Sequence, residues 1–303
     1  MNEYPGIFEK KRQKSPGYLE DMKKSDWYLR LKQRPGLKAV FVLIGIVLLL
    51  SIFAPYLAPQ DPNVVDLYDK NQGPSAGHLL GTDYLGRDLF SRVICGLQTS
   101  MAIALTTIVF SFIIGVAVGG YSGYKGGWVD NVVARVIDVF LAFPSIILAL
   151  ALITLIGPGI LNMVLMLAVV QWASLARLMR GQVLYEKNQE YVLSARASGF
   201  SGSRILIRHI IPNCVMPVVV LATIDIGHTI LTISTLSFLG MGIPPSIPEW
   251  GSMINSGISY MRIAPLNVIV PGIAITIVTL LFNMAGEGIR DITDPKSDGE
   301  GSI

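Results

Sequence analysis

The chain has 303 residues, of which 51% are hydrophobic and 15% charged, with a formal net charge of +3. A soluble globular domain carries about 25% charged residues, so the composition excludes an ordinary water-soluble enzyme and points to a membrane protein. The small net charge gives no sign of a nucleic-acid partner, and the two cysteines, Cys95 and Cys214, read as small buried hydrophobes.

In chain order, residues 1–38 form a cytoplasmic tail that carries ten of the 24 Lys and Arg residues. Tyr18 to Lys32 mixes Leu19, Met22, Trp27, Tyr28 and Leu31 with basic residues, which suits an interfacial amphipathic helix ended by Pro35-Gly36. A solvated tail is the alternative. Residues 39–58 form the first uncharged span, long enough for a hydrocarbon core of about 30 Å at about 1.5 Å per residue. Residues 59–98 form an extracytoplasmic loop, and 99–286 hold five further helices, the second span fitting at about 100–121. No charge occurs from Val139 to Ala176, too long a run for one helix; Gly157-Pro158-Gly159 near its middle predicts a hairpin between two spans. The fifth span covers about 214–238 and the sixth about 265–286, followed by a cytoplasmic tail at 287–303. The fold class is therefore an all-α membrane protein with six transmembrane helices. Twenty of the 24 Lys and Arg residues fall on one side of this topology, which puts the N and C termini in the cytoplasm.

Three segments carry chemistry. In the outer loop, Gly81 and Gly86 suit tight turns, Thr82 or Asp83 suits a cap for a short helix running into span two, and Asp83, Arg87 and Asp88 suit local pairing. His78 with two Asp is a poor ligand set for a metal. The stretch 177–213 holds six Lys or Arg against two Glu. Gln182 to Ala197 has helical composition, Gly199 stops it, and Ser201 or Ser203 caps a second helix. Between the helices lies an exposed corner of small residues, Ser194, Ala195, Ala197, Ser198 and Gly199, which suits the close approach of another protein; a plain positive-inside linker is the other reading. In span five, Asp225 and His228 stand one turn apart at membrane depth. Such residues line a path or bond to each other. Trp172 and Trp250 read as interfacial anchors, and Met163, Met166 and Met179 as core or lipid contacts.

The 177–213 stretch resembles the cytoplasmic loop of ABC-importer permeases, with Ala195, Gly199 and Pro212 in the expected slots and Leu193 and His209 where Glu and Ile are usual. Gly81-Thr82-Asp83 through Arg92, Ser122 to Asp130, Pro248-Glu249-Trp250-Gly251, and Gly286 through Asp291 to Lys296 resemble further blocks of the permease family for dipeptides, oligopeptides and nickel, in particular its second permease subunit. The blocks cover about residues 76–296 in order.

The resemblance implies an ABC type I importer permease fold in the cytoplasmic (inner) membrane of a prokaryote. It implies four kinds of partner: a homologous second permease subunit, two cytoplasmic ATP-binding subunits, an extracytoplasmic substrate-binding protein and the lipid bilayer. Glu190, Leu193, Ser194, Ala195, Arg196, Ala197, Ser198, Gly199 and Phe200 would then meet the ATPases. Asp225 and His228 would line the translocation path. No Gly-x-x-x-x-Gly-Lys-Ser/Thr loop occurs, so no cofactor is expected on this chain, and ATP and Mg would be used by the partner subunits. The cargo would be di- or oligopeptides, with nickel or a metal chelate as the alternative. A stand-alone secondary transporter driven by an ion gradient also fits six spans and Asp225, and leaves the basic loop unassigned. An intramembrane enzyme has no motif here.

Overall fold

The computed structural model describes residues 34–293. The interfacial helix expected at Tyr18 to Lys32 and the block ending at Asp294-Pro295-Lys296 lie outside the described residues. The described residues are almost wholly helical: α1 (Pro35–Leu57), α2 (Leu89–Lys125), α3 (Gly127–Ala142), α4 (Ser145–Ile156), α5 (Ile160–Glu186), α6 (Glu190–Ala197), α7 (Gly202–Ile205), a π-helical turn (Leu206–Ile210), α8 (Ile211–Phe238), α9 (Trp250–Ile258) and α10 (Leu266–Thr293).

Among the described residues, five stretches are long and apolar enough to cross a membrane: α1, α2, α5, the continuous run Gly202–Phe238, and α10. A sixth span arises when α3 and α4 count as one broken crossing, bent by 91°. The break has a covalent cause. Pro144 has no N–H to donate and disfavours helical backbone at the residue before it; Phe143 accordingly turns extended, with φ −98° and ψ 141°. The third span thus begins at Gly127 as a helix, ahead of the uncharged run that starts at Val139. The hairpin between α4 and α5 falls at Gly157–Gly159. At 37 residues, α2 runs about 55 Å, well beyond a bilayer core, so each of its ends stands clear of the apolar zone.

The centre of the bundle is the crossing of α2 and α5. Gly115, Gly119 and Gly123 recur one per turn on α2 and face Leu175, Ala176 and Val183 of α5; a Cβ on Gly119 would overlap the Ala176 carbonyl. Backbones that meet this closely gain dispersion contacts that no larger residue permits. Two ion pairs hold α3 to α5, Arg180 to Asp130 with N–O distances of 2.5 and 2.8 Å and Arg177 to Asp138 at 2.7 Å. Lys187 Nζ donates to the Gly123 carbonyl at 2.7 Å. Arg177 and Arg180 therefore belong to the end of α5 rather than to a loop. Arg34 at the start of α1 pairs with Asp291 near the end of α10 at 2.7 Å, which brings the start of α1 and the end of α10 to one face of the bundle.

Met163, Met166 and Met179 are buried in the core, and Cys95 and Cys214 are free and buried. Trp250, expected at a membrane interface, is instead 2% exposed. Its indole N–H donates to the Val93 carbonyl at 3.0 Å, which satisfies the polar handle and lets the ring fill the core. Trp172 packs edge-on against Phe140.

Candidate functional site

Three groups of predicted residues occupy three levels of the bundle. At the N-terminal end of α2, the outer-loop residues form a buried polar knot. Asp83 accepts from Arg87 Nε at 2.7 Å and lies 3.5 Å from Arg92 Nε. Both guanidinium groups also donate to the Pro245 carbonyl, at 3.1 and 3.0 Å, and Arg92 reaches the Pro62 carbonyl at 2.8 Å. Asp83, Arg87 and Arg92 are all less than a tenth exposed. The cap of α2 is Asp88, not Thr82 or Asp83: its carboxylate accepts from the Ser91 N–H at 2.8 Å and contacts His78 Nδ1 at 3.0 Å. Thr82 is taken up by the Asp69 carbonyl and the Gln72 N–H, and Asn267 donates to the Thr82 carbonyl. Gly81 and Gly86 both take positive φ. Nearby, Glu249 accepts from the N–H groups of Gly251 and Ser252 at 2.9 and 2.8 Å and caps α9. Burial pushes its carboxyl up, and those two N–H groups pull it back.

At the opposite end of α2 lies the basic corner. Helix α6 begins at Glu190 and turns only Val192 and Ala195 inward; Glu190, Leu193, Ser194, Arg196, Ala197, Ser198, Gly199 and Phe200 face outward. Leu193 is 51% exposed. Gly199 sits at φ +79°, a region that side chains disfavour, yet a Cβ built there meets nothing within 4 Å. Phe200 stacks on His209 and lies under the Arg204 guanidinium, while Arg196 stands over the Tyr124 ring.

A clamp that sequence reasoning missed anchors this corner. Tyr191 donates its hydroxyl to Glu186 at 2.7 Å and stands 3.3 Å from the His209 carbonyl, which also accepts from Asn213 Nδ2 at 2.7 Å. Burial first, then the Glu186 contact, push the Tyr191 phenol upward. The His209 carbonyl belongs to the π-helical turn, where Ile211 N–H bonds back to the Leu206 carbonyl, one residue farther than in an α-helix. Pro212 follows immediately and cannot donate or tolerate a normal turn beneath its ring, a cause for the wider register.

Between the two ends, Asp225 and His228 line a cavity of about 370 Å³ with Gln171 and Ser174 of α5, Ser145 of α4, and Thr232 and Thr235 of α8. No hydrogen bond joins Asp225 to His228 among the described residues. The Thr229 hydroxyl instead lies 3.0 Å from Gln171 Oε1 and 2.6 Å from the Asp225 carbonyl oxygen. The additional polar residues had a signal: Asp225, His228, Thr232 and Thr235 fall at helical spacing on one face, and Gln171 and Ser174 lie one turn apart.

Comparison with known proteins shows what the chain as a whole is similar to. Residues 111–299 match the family model described as binding-protein-dependent transport system inner membrane component. Residues 25–74 match that of the N-terminal TM domain of oligopeptide transport permease C. The chain is 42% identical over 272 residues to the glutathione transport system permease protein GsiD of Pectobacterium atrosepticum, covering 89% of this chain and 90% of that protein. It is 37% identical over 275 residues to the dipeptide transport system permease protein DppC of Alkalihalophilus pseudofirmus, covering 90% of each. Among solved structures, an inward-facing conformation of the MetNI methionine ABC transporter superposes with a TM-score of 0.54 at 18% identity, covering 67% of this chain and 97% of that one. That likeness shows the fold.

Proposed function

We propose a function from one premise: the chain belongs to the binding-protein-dependent transport system inner membrane components, as a multi-pass permease subunit of an ABC importer and not an enzyme. On that premise, two cytoplasmic ATPases close on ATP and Mg, which they and not this chain bind. A homologous second permease completes the path, and an extracytoplasmic binding protein delivers the cargo. The cargo is a small peptide, the class named for the relatives that transport glutathione and dipeptides. Both termini and the 177–213 stretch lie in the cytoplasm, and Glu190 to Phe200 meets an ATPase.

One observation carries this reading. The exposed corner leads directly into the rod that lines the cavity: Gly202–Phe238 is one continuous helical run that starts just after the corner and carries Asp225 and His228 along it. A push on α6 tilts that rod through Tyr191, Asn213 and the π-helical turn, and the cavity wall moves with it. Packed bundles respond to such a push by switching between discrete arrangements.

Co-purification of the chain with its neighbouring subunits, followed by mass spectrometry of the ligand held by the soluble binding protein, is expected to return a peptide. A nickel complex there, or uptake by the purified chain alone on an ion gradient without ATP, would overturn the reading. The clamp has its own test. Tyr191→Phe removes one hydroxyl whose contacts are worth about 1 kcal/mol, so uptake is expected to fall by about 3- to 10-fold with the ATPases still bound. Unchanged uptake would remove Tyr191 from the transmission route.

A further inference from the structure

The Asp225 carboxylate differs from five other acids placed in or against the bundle. Asp83 and Asp130 are paired to arginines, Asp138 to Arg177, Asp88 to Ser91 and His78, and Glu249 to two backbone N–H groups. Among the described residues, no hydrogen bond or ion pair reaches the Asp225 carboxylate, although its own backbone carbonyl is engaged by Thr229. An unpaired carboxylate at membrane depth is costly unless it faces water or a ligand. This one faces the cavity, whose 370 Å³ falls within the range of about 300–1,000 Å³ typical of small-molecule sites. The rest of the polar lining is uncharged hydroxyl and amide, from Gln171, Ser174, Thr232 and Thr235, together with the imidazole of His228. Among the described residues no three His, Cys, Asp or Glu side chains gather to hold a metal ion, and one carboxylate with one imidazole falls short of a usual ligand set. The cavity thus presents one carboxylate among hydroxyl, amide and imidazole groups, on a wall otherwise made by Leu141, Ile146, Leu167, Val170 and Leu231.

We infer that the Asp225 carboxylate receives the ammonium group of the passing peptide, while the hydroxyl oxygens of Ser174, Thr232 and Thr235, whose protons go to carbonyls of their own helices, accept its peptide N–H and the Gln171 Nε2 group donates to its carbonyl. This rests on the peptide reading above. A free amino terminus is the one cationic group that every unmodified peptide carries, whatever its side chains. A site that holds it accepts many sequences and still rejects neutral solutes. The contact is transient, because the cavity opens to a face on which His228 and Leu231 are exposed.

The test uses the complete importer in proteoliposomes with alanyl-alanine as the probe. Losing one charge-assisted hydrogen bond is expected to lower uptake by about tenfold in Asp225→Asn, with recovery to within about threefold in Asp225→Glu. In Asp225→Cys, a sulfonatoethyl thiosulfonate reagent restores negative charge and is expected to recover uptake. The trimethylammonium reagent of similar size is expected to abolish it. The native cysteines of this chain are buried, and wild-type complex treated alike serves as the reference. Equal effects of the two reagents, or full uptake by Asp225→Asn, overturn the assignment alone. A wild-type importer that carries nickel(II) but not alanyl-alanine overturns the peptide reading and this assignment together.

Discussion

Gly199→Asp is expected to cut ATP-driven uptake by about a hundredfold or more, since an unpaired charge forced into a closed contact costs several kcal/mol. Within this chain the substitution is mild. A Cβ at Gly199 meets nothing within 4 Å, so no neighbour has to move. The backbone at φ +79° disfavours side chains, but Asp is among those that tolerate it, at a cost of about 1 kcal/mol. The folded permease should therefore persist, with thermal stability in detergent close to the wild type. Any large loss must come from something outside the chain that lies against the corner. The measurement is paired: uptake in membranes, and retention of the ATPase subunits on the tagged permease. Gly199→Ala adds the strain without the charge and should lose far less. Wild-type uptake with full retention of the ATPases in Gly199→Asp would sink the coupling assignment for this corner.

Asp83→Ala should be the most destabilising single change in the outer knot. It leaves Arg87 and Arg92, 4% and 2% exposed, facing each other without the carboxylate that separates them. Removing one partner of a buried ion pair costs about 3–5 kcal/mol, which corresponds to a drop in melting temperature of roughly 10 °C for a protein of this size. Both arginines keep their bonds to the Pro245 carbonyl, so the damage should concentrate where the 59–88 loop meets the segment before α9. Asp83→Asn retains the shape and an acceptor oxygen and should fall between Ala and wild type. A melting curve for Asp83→Ala that overlays the wild type would show that the knot contributes little.

The spans were legible because their signal is collective: some 20 consecutive apolar residues outweigh any local exception. The break at Phe143–Pro144 was hidden by the same averaging. Pro144 lies inside an uncharged run, and its effect on Phe143 is a backbone matter that hydropathy does not register. The cap of α2 moved to Asp88 because several polar residues in that loop suit a cap and only tertiary contacts choose among them. Asp225 and His228 stood out as ionisable residues in an apolar run. Gln171 and Ser174 did not, since an uncharged polar side chain in a span is common enough to pass. Tyr191 and Asn213 were invisible for another reason. Their partner is a carbonyl released by a π-helical turn, and no residue pattern announced that turn.

The seam between α2 and α5 also bears on how this architecture can change its cargo. Helix α5 presents Leu175, Ala176 and Val183 to the glycines of α2, where an added methylene has no room. Gln171 and Ser174 on the same helix look instead into the cavity, where a different side chain meets space. Substitutions that retune selectivity can therefore accumulate on one side of α5 without disturbing its register against α2. The helix works as a fixed backbone with an interchangeable lining, and variants of Gln171 and Ser174 are the place to engineer a new cargo.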